Sequence, residues 1–322
     1  MAITLQEAKV GMADKIDQAV IDTIQRNSRF MDLLIYDDAL SPGTGGSTLV
    51  YGYTQLKTPA AANGRQINTE YVPQEAKREV KTTTLTIMGG SYQIDRVLAK
   101  TSNGRINEVT FQNEQKAKAT ASRYQYLAIN GDYAATKDGD DPEFDGLNKL
   151  LEGTENDIDG AELDLSGTID QAKATAIDEA FRTVVYSIAG GKPTAIMANS
   201  KVIIKLTTVA RVLGFQTTAI NSFGESVKGY DGIELIDMGQ YYDGNQTVDV
   251  IPVKDGSTNI YVVRIGLDGF CGVTPLGGSI GLETHLPDFT QAKAVHTGDV
   301  ELVGGVALKN SKAAAVIRGV KI

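Results

Sequence analysis

The 322-residue chain has no tryptophan, one cysteine, two histidines and eight prolines, and each shortage excludes something. A lone Cys271 cannot close an internal disulfide, which fits a reducing compartment, and it excludes a structural zinc site built on several thiolates. His285 and His296 lack a matching carboxylate-rich helix, so they do not read as a metal pair. No apolar run approaches the roughly 18 residues that a membrane span requires. The opening MAITLQEAKVGMADKID carries acids and no apolar core, so no secretory signal is expected, and the chain is expected to stay in the cytoplasm where it is made. Basic residues are outnumbered, 31 against 40 acidic, for a net charge of −9. That excludes a protein that grips nucleic acid over its whole surface, because phosphate binding needs clustered Lys and Arg.

What is present is ordinary for a folded chain: 42% hydrophobic and 22% charged residues, with 34 glycines for turns. The length suits one large domain or two modest ones. Met12, Ile16, Ala19, Val20 and Ile24 recur at helical spacing and predict an amphipathic helix over about Leu5 to Arg26. Phe30, Leu33 and Leu34 follow as an apolar anchor, and Ser41 to Gly46 reads as a loop.

Thr48 to Leu56 (TLVYGYTQL) predicts a strand, and Glu75 to Met88 (EAKREVKTTTLTIM) predicts its returning partner. Between them, Asn63-Gly64 marks the turn. The pair shows almost no apolar face, so it is expected to project, with ten residues reaching about 33 Å. A ribbon that cannot supply its own core is expected to lie on a neighbour. Arg65, Glu70, Glu75, Lys77, Arg78, Glu79 and Lys81 mix both signs along it, and with Phe30 they are the candidate inter-subunit contacts. Exposed ion pairs are worth only about 0–1 kcal/mol each, but a closed assembly multiplies them.

Ile106 to Ile129 predicts a helix of about 36 Å, with Ala117, Ala121, Tyr124 and Ala128 on one face and Asn130-Gly131 as its stop. An acidic loop, 138–164, follows. Ile169 to Ile188 predicts an amphipathic helix, Thr194 to Ala198 (TAIMA) a buried strand, and Asn199 or Ser200 the cap of a further helix to Leu213. Strands are expected near Ile233–Ile236, Thr247–Val253 and Asn259–Ile265, giving an α/β unit with mixed strands. The ending, Glu301 to Ile322, reads as a short apolar strand, a Gly-Gly break, a polar Lys309-Asn310-Ser311-Lys312 insert and an Ala/Val/Ile run.

Signatures of chemistry are weak. Gly277-Gly278-Ser279-Ile280-Gly281 matches G-x-S-x-G, with Asp288 and His296 following in hydrolase order. Pro287 and the absence of a helical stripe after Ser279 argue instead for a turn between strands. Asp141-Pro142-Glu143-Phe144-Asp145-Gly146 with Glu152 approaches a calcium loop, but Glu143 and Pro142 depart from the pattern, and a solvated acidic loop explains it. Gly43 to Ser47 and Gly190 to Pro193 lack the P-loop Lys-Ser/Thr. Cys271, in GFCGV, reads as a small core residue.

Taken in order, these segments resemble the major capsid protein of tailed phages, the HK97-like fold, over essentially the whole chain. INGD followed by FDGLNKLL (Phe144 to Leu151) resembles the segment after that family's long helix, and VELVGGVALKNSKAAAVI resembles its closing strands. The resemblance implies an α+β fold: an N-terminal arm over 1–47, an extended β-hairpin E-loop and its base over 48–100, and a P-domain with a long spine helix over 101–176. An α/β A-domain would cover 177–280 and return strands of the P-domain 281–322. With the first helix starting near Leu5 there is no room for a cleaved scaffolding extension, so a separate scaffolding protein is expected. Some members cross-link a Lys to an Asn on a neighbour; Lys57, Lys77, Lys81 and Asn310 are of the right types, without a pattern that selects them.

The function so implied is that of a structural, non-enzymatic subunit with no cofactor. Copies would form hexamers and pentamers of an icosahedral shell that encloses double-stranded DNA, with a portal among its partners and no membrane. Assembly would take place in the host cytoplasm, and the final location is the virion capsid. An acidic shell suits packed DNA, since repulsion lets the genome slide without sticking. Two other readings are an encapsulin-like nanocompartment and, in a different class, an α/β enzyme or ligand-binding protein built on 169–280.

Overall fold

Three apolar stretches far apart in the sequence, near residues 196, 261 and 316, lie side by side in one sheet. The computed structural model describes residues 29–40, 48–101, 107–136, 141–215, 217–220, 226–275, 278 and 280–322. The helix expected over Leu5 to Arg26 lies outside them, as do the loop from Ser41 and Ser279.

The described chain opens with helix α1 (Arg29–Leu33) and strand β1 (Tyr36–Asp38), then the hairpin strands β2 (Val50–Thr58) and β3 (Lys77–Thr84). Strand β4 (Thr86–Asp95) and helix α2 (Arg96–Thr101) lead to the long helix α3 (Glu108–Asn130), then α4 (Leu147–Leu151) and β5 (Asp157–Asp159). Helix α5 (Gln171–Ser187), β6 (Ala195–Ala198) and α6 (Ser200–Val212) form an α/β run. Strands β7 (Thr218–Ile220), β8 (Ser226–Tyr230), β9 (Ile233–Asp237), β10 (Gln240–Tyr242) and β11 (Thr247–Asp249) come next. They are followed by β12 (Ser257–Val263), β13 (Phe270–Thr274), β14 (Leu282–His285), β15 (Val295–Leu308) and β16 (Ala314–Lys321).

Short polar side chains start the helices by accepting hydrogen bonds from otherwise unpaired backbone N–H groups. Asn107 accepts from Thr110 N at 3.3 Å, Asp170 from Lys173 N at 2.8 Å and Asn199 from Lys201 N at 3.1 Å. Of the two caps weighed for α6, the structure uses Asn199.

The main sheet has seven strands in the order β5-β16-β12-β6-β9-β8-β7. Its central strands are buried on both faces, and the two-residue period assigns alternate side chains to different cores. Ala195, Met197, Tyr261, Val263, Ala314 and Val316 join one core, with Tyr124, Phe144 and Leu147 from α3 and its sequel. Ile196, Ala198, Ile260, Val262, Ala315 and Ile317 join the other, with Phe181 of α5 and Leu206 of α6. Two-sided burial is why these strands read as unbroken apolar runs.

A second sheet runs β1-β13-β15-β14, with β4 also paired to β15 over Val295 to Gly304. Here the expected Gly-Gly break fails: β15 runs through Gly304 and Gly305 without interruption. These glycines make room instead. A side chain at Gly304 would meet the Tyr124 ring at 3.2 Å, and the Tyr124 hydroxyl donates to Gly305 O at 3.1 Å. The two closing strands also part company, β15 staying in this sheet while β16 crosses into the seven-stranded one.

Three other expectations shift. The returning strand expected over Glu75 to Met88 is split at Leu85, whose N–H donates to Leu49 O at 2.7 Å, so that β3 belongs to the hairpin and β4 to the body. The turn falls not at Asn63-Gly64 but at Gln66 to Thr69, where Asn68 takes a φ of 67° and Thr69 N donates to Gln66 O. Phe30 is no contact candidate: it is fully buried in its own subunit, its ring 6.3 Å from that of Phe270.

The INGD and FDG stretches cross at a backbone-to-backbone contact. Gly146 N donates to Gly131 O at 2.9 Å, and a Cβ at Gly146 would lie 2.4 Å from Leu127 O. Glu143 reaches Arg123 at 3.1 Å, Asp145 accepts from Tyr133 N at 2.9 Å and Glu152 pairs with Lys149 at 3.0 Å. Glu143 and Asp145, two of the acids that suggested a calcium loop, therefore staple the end of α3, while Glu152 serves Lys149 of α4.

Gly146→Ala is expected to cost about 1–3 kcal/mol, because the obstructing atoms are backbone and cannot rotate away; denaturant unfolding of the unassembled chain measures it. Cys271 is fully buried, and burial pushes its thiol up to about 11. Since the thiolate is the reactive form, thiol-reactive dye at pH 8 is expected to label native protein only at the rate of unfolding. Fast stoichiometric labelling would contradict this placement.

Candidate assembly interface

The hairpin is a two-stranded sheet of its own. Its register pairs Tyr51 with Thr83, Tyr53 with Lys81 and Gln55 with Glu79 on one face, and Thr54 with Val80 and Leu56 with Arg78 on the other. Lys57 is the extra residue where the register shifts between Leu56 and Thr58.

The first face rests on the body. Tyr53 and Leu85 are buried with Ala39, Cys271, Val273 and Ala307 in a small core separate from the two large ones. Around this core lies a polar cluster. Lys309 Nζ is 2.5 Å from Asp37 Oδ2, the Tyr51 hydroxyl donates to the same oxygen at 2.7 Å, and the Lys309 ammonium lies 5.4 Å from the centre of the Tyr51 ring. Burial alone pushes the Asp37 carboxyl up, but the bonds from Lys309 and Tyr51 more than offset it and hold the carboxyl down at about 2. Gln55 Nε2 adds a bond to Leu308 O at 2.8 Å.

The second face is uncovered by any of the described residues. Val50, Leu56 and Val80 are exposed to 44%, 63% and 72% there, and the connecting segment adds Ile67, Tyr71 and Val72 at 89%, 62% and 72%. The expectation of almost no apolar face was therefore incomplete. It missed that the alternation in VYGYTQL places tyrosines on the body side and Val50 and Leu56 outward. The Asp37–Tyr51–Lys309 cluster was also missed, since its members lie 14 and 272 residues apart from Asp37 and share no spacing signal.

The candidate charges fall into two groups. Glu79 is 3.3 Å from Lys57 and 3.7 Å from Lys81, so these three are satisfied within the subunit, at the lip of a groove of about 800 Å³ between hairpin and body. Arg65 lies 5.4 Å over the Tyr71 ring and bonds Thr69 O at 3.3 Å, which shapes the turn. Glu70, Glu75, Lys77 and Arg78 are exposed and make no ion pair among the described residues. Asn310 caps the turn before β16 by accepting from Lys312 N at 3.0 Å.

The hydrolase-like residues are occupied elsewhere. Asp288 accepts from Thr290 N and Oγ1, and the buried His296 places Nε2 3.0 Å from Lys293 O. Gly190 and Gly191 form a left-handed turn whose neighbour Lys192 donates to Asp231 O at 2.6 Å.

The whole architecture matches that of known shell proteins. The capsid of Myoviridae phage XM1 superposes with a TM-score of 0.65 at 11% identity, covering 99% of both chains. The SrpI encapsulin of Synechococcus elongatus PCC 7942 gives 0.65 at 16% identity, covering 100% of this chain and 97% of that one. Gordonia phage Cozz gives 0.61 at 15% identity over 98% and 94%. A search of curated proteins by sequence finds no significant match. At such identities the likeness establishes the fold, which is the HK97-like one. The family follows from sequence: the model of the SU10 major capsid protein matches residues 16–233, more than half of the chain, which therefore belongs to that family.

Proposed function

We propose that this capsid subunit builds its shell chiefly through the hairpin, whose apolar outer face and connecting segment bury themselves on a second copy. The observation that carries this is the exposure of Leu56, Val80, Ile67, Tyr71 and Val72 on an arm whose outer face contributes to none of the cores. Full burial of one such side chain is worth about 1.5–3 kcal/mol, against about 0–1 for an exposed ion pair. The apolar set thus outweighs the charges. Glu70, Glu75, Lys77 and Arg78 contribute register and selectivity instead, since a wrong alignment sets like charges together.

The family and the fold support the rest of the proposal. Copies form hexamers and pentamers of an icosahedral shell around double-stranded DNA, helped by a separate scaffolding protein and filled through a portal, in the host cytoplasm. The subunit performs no catalysis and takes no cofactor. Residues 1–47 act as an arm, 48–100 as the reaching loop, 101–176 and 281–322 as the wall, and 177–280 as the ring-forming part. One second reading has a specific observation behind it, the equal superposition of an encapsulin. In that case the shell would enclose protein, and the nucleic-acid content of purified particles distinguishes the two.

The test is electron microscopy of the purified full chain, with hollow particles expected. Leu56→Asp with Val80→Asp is expected to abolish particles while leaving the unassembled chain as stable as the parent, because both side chains are mostly exposed. Deleting 59–72 is expected to act the same way. Charge reversal at Lys77 and Arg78 is expected to weaken assembly in a salt-dependent manner without abolishing it. Normal shells from the double Asp variant would overturn the assignment.

A further inference from the structure

The hairpin's attachment to the body is unusual in kind. Among the described residues no strand of the body forms a ladder with β2 or β3, which make a two-stranded sheet of their own. At its root, Leu49 and Leu85 hold one backbone bond to each other, and the small core around Tyr53 supplies the remaining apolar contact. A stiff ribbon on so narrow a base is a lever, and a set of polar contacts lies just above that base.

Those contacts are the bonds among Asp37, Tyr51 and Lys309, with Gln55 to Leu308 O beside them. They join three separate parts of the chain: β1, the hairpin, and the turn between β15 and β16. The cluster is partly open to water, with the Asp37 and Lys309 side chains 24% and 19% exposed. It is therefore neither a loose surface pair nor a sealed core element.

We propose that Asp37, Tyr51 and Lys309 form a latch that fixes the angle of the hairpin on its own subunit before any neighbour is present. Tyr51 is the moving part, carried on β2, while Asp37 and Lys309 are held by the body through β13 and β15. One carboxylate oxygen receives both the ammonium and the phenol, so the loss of either partner leaves the other misplaced. An arm held in one orientation loses less freedom on docking than a swinging one, which speeds and strengthens contact with a partner. This consequence for assembly rests on the hairpin being the assembly arm; the latch itself does not.

The latch is read in the unassembled full chain, at a concentration below shell formation, by spin-label distances between Lys77→Cys at the far end of the ladder and Thr175→Cys on α5. Both positions are exposed, and buried Cys271 is out of the label's reach. The parent is expected to give one narrow distance. Lys309→Met and Asp37→Asn are expected to lose it in favour of a broad distribution. Tyr51→Phe, which removes a single hydroxyl and keeps the ring in place, is expected to broaden it partially and guards against misfolding of the charge variants. Lys312→Met, which removes a nearby ammonium paired with Glu155, is expected to leave it narrow.

Equal narrowness in all latch variants overturns the proposal, as does equal broadening in Lys312→Met. A parent chain that shows the narrow distance yet never forms shells would refute the assembly reading alone.

Discussion

Everything in this subunit depends on one sheet being covered on both sides. Strands β6, β12 and β16 send alternate side chains into two separate cores, so each strand is held from both faces and each core is held by the same backbone. A substitution at Val262 or Val316 therefore disturbs one core directly and the other through strand position, because a close-packed interior transmits displacement. The hairpin can be all lever because the body behind it is this rigid.

Against that body the hairpin is lightly fastened, with a small core of its own apart from the two large ones. The hairpin carries large apolar side chains that a solitary protein would hide, and its own small core is a fraction of the size of the others. Exposed apolar area of this kind marks surfaces meant for a partner. Its arrangement by strand face, tyrosines inward and Leu56 and Val80 outward, means that a one-residue slip of register would turn the contact face into the body. The shifted register at Lys57 lies where the regular ladder gives way to the connecting segment.

Much of this was legible in the sequence because it followed local rules. The helices α3, α5 and α6 appear within a few residues of where spacing and caps put them, and TAIMA and the closing Ala/Val/Ile run are strands. What was not legible depended on contacts distant in sequence. Gly304 and Gly305 look like a break from composition, and only the approach of Tyr124 shows them to be clearance. Phe30 looks like a free anchor until Phe270 is beside it. The strand end at Leu85 depends on Leu49, and the latch on residues from both ends of the described chain. The acids of 141–152 were read by their number, whereas their roles are set by Arg123, Tyr133 N and Lys149.

The position of β16 has a consequence for synthesis. Residues 314–321 lie between β5 and β12, inside the sheet that joins the two cores. A nascent chain emerging from the ribosome therefore cannot finish that sheet until residues 314–321 have followed the strands before them, and the apolar strands translated earlier must wait with one edge bare. Pairings this distant along the chain form slowly. During that interval the same exposed edges invite wrong partners, so the fold places its greatest risk of aggregation before β16 is made and its greatest cooperativity once that strand is in place.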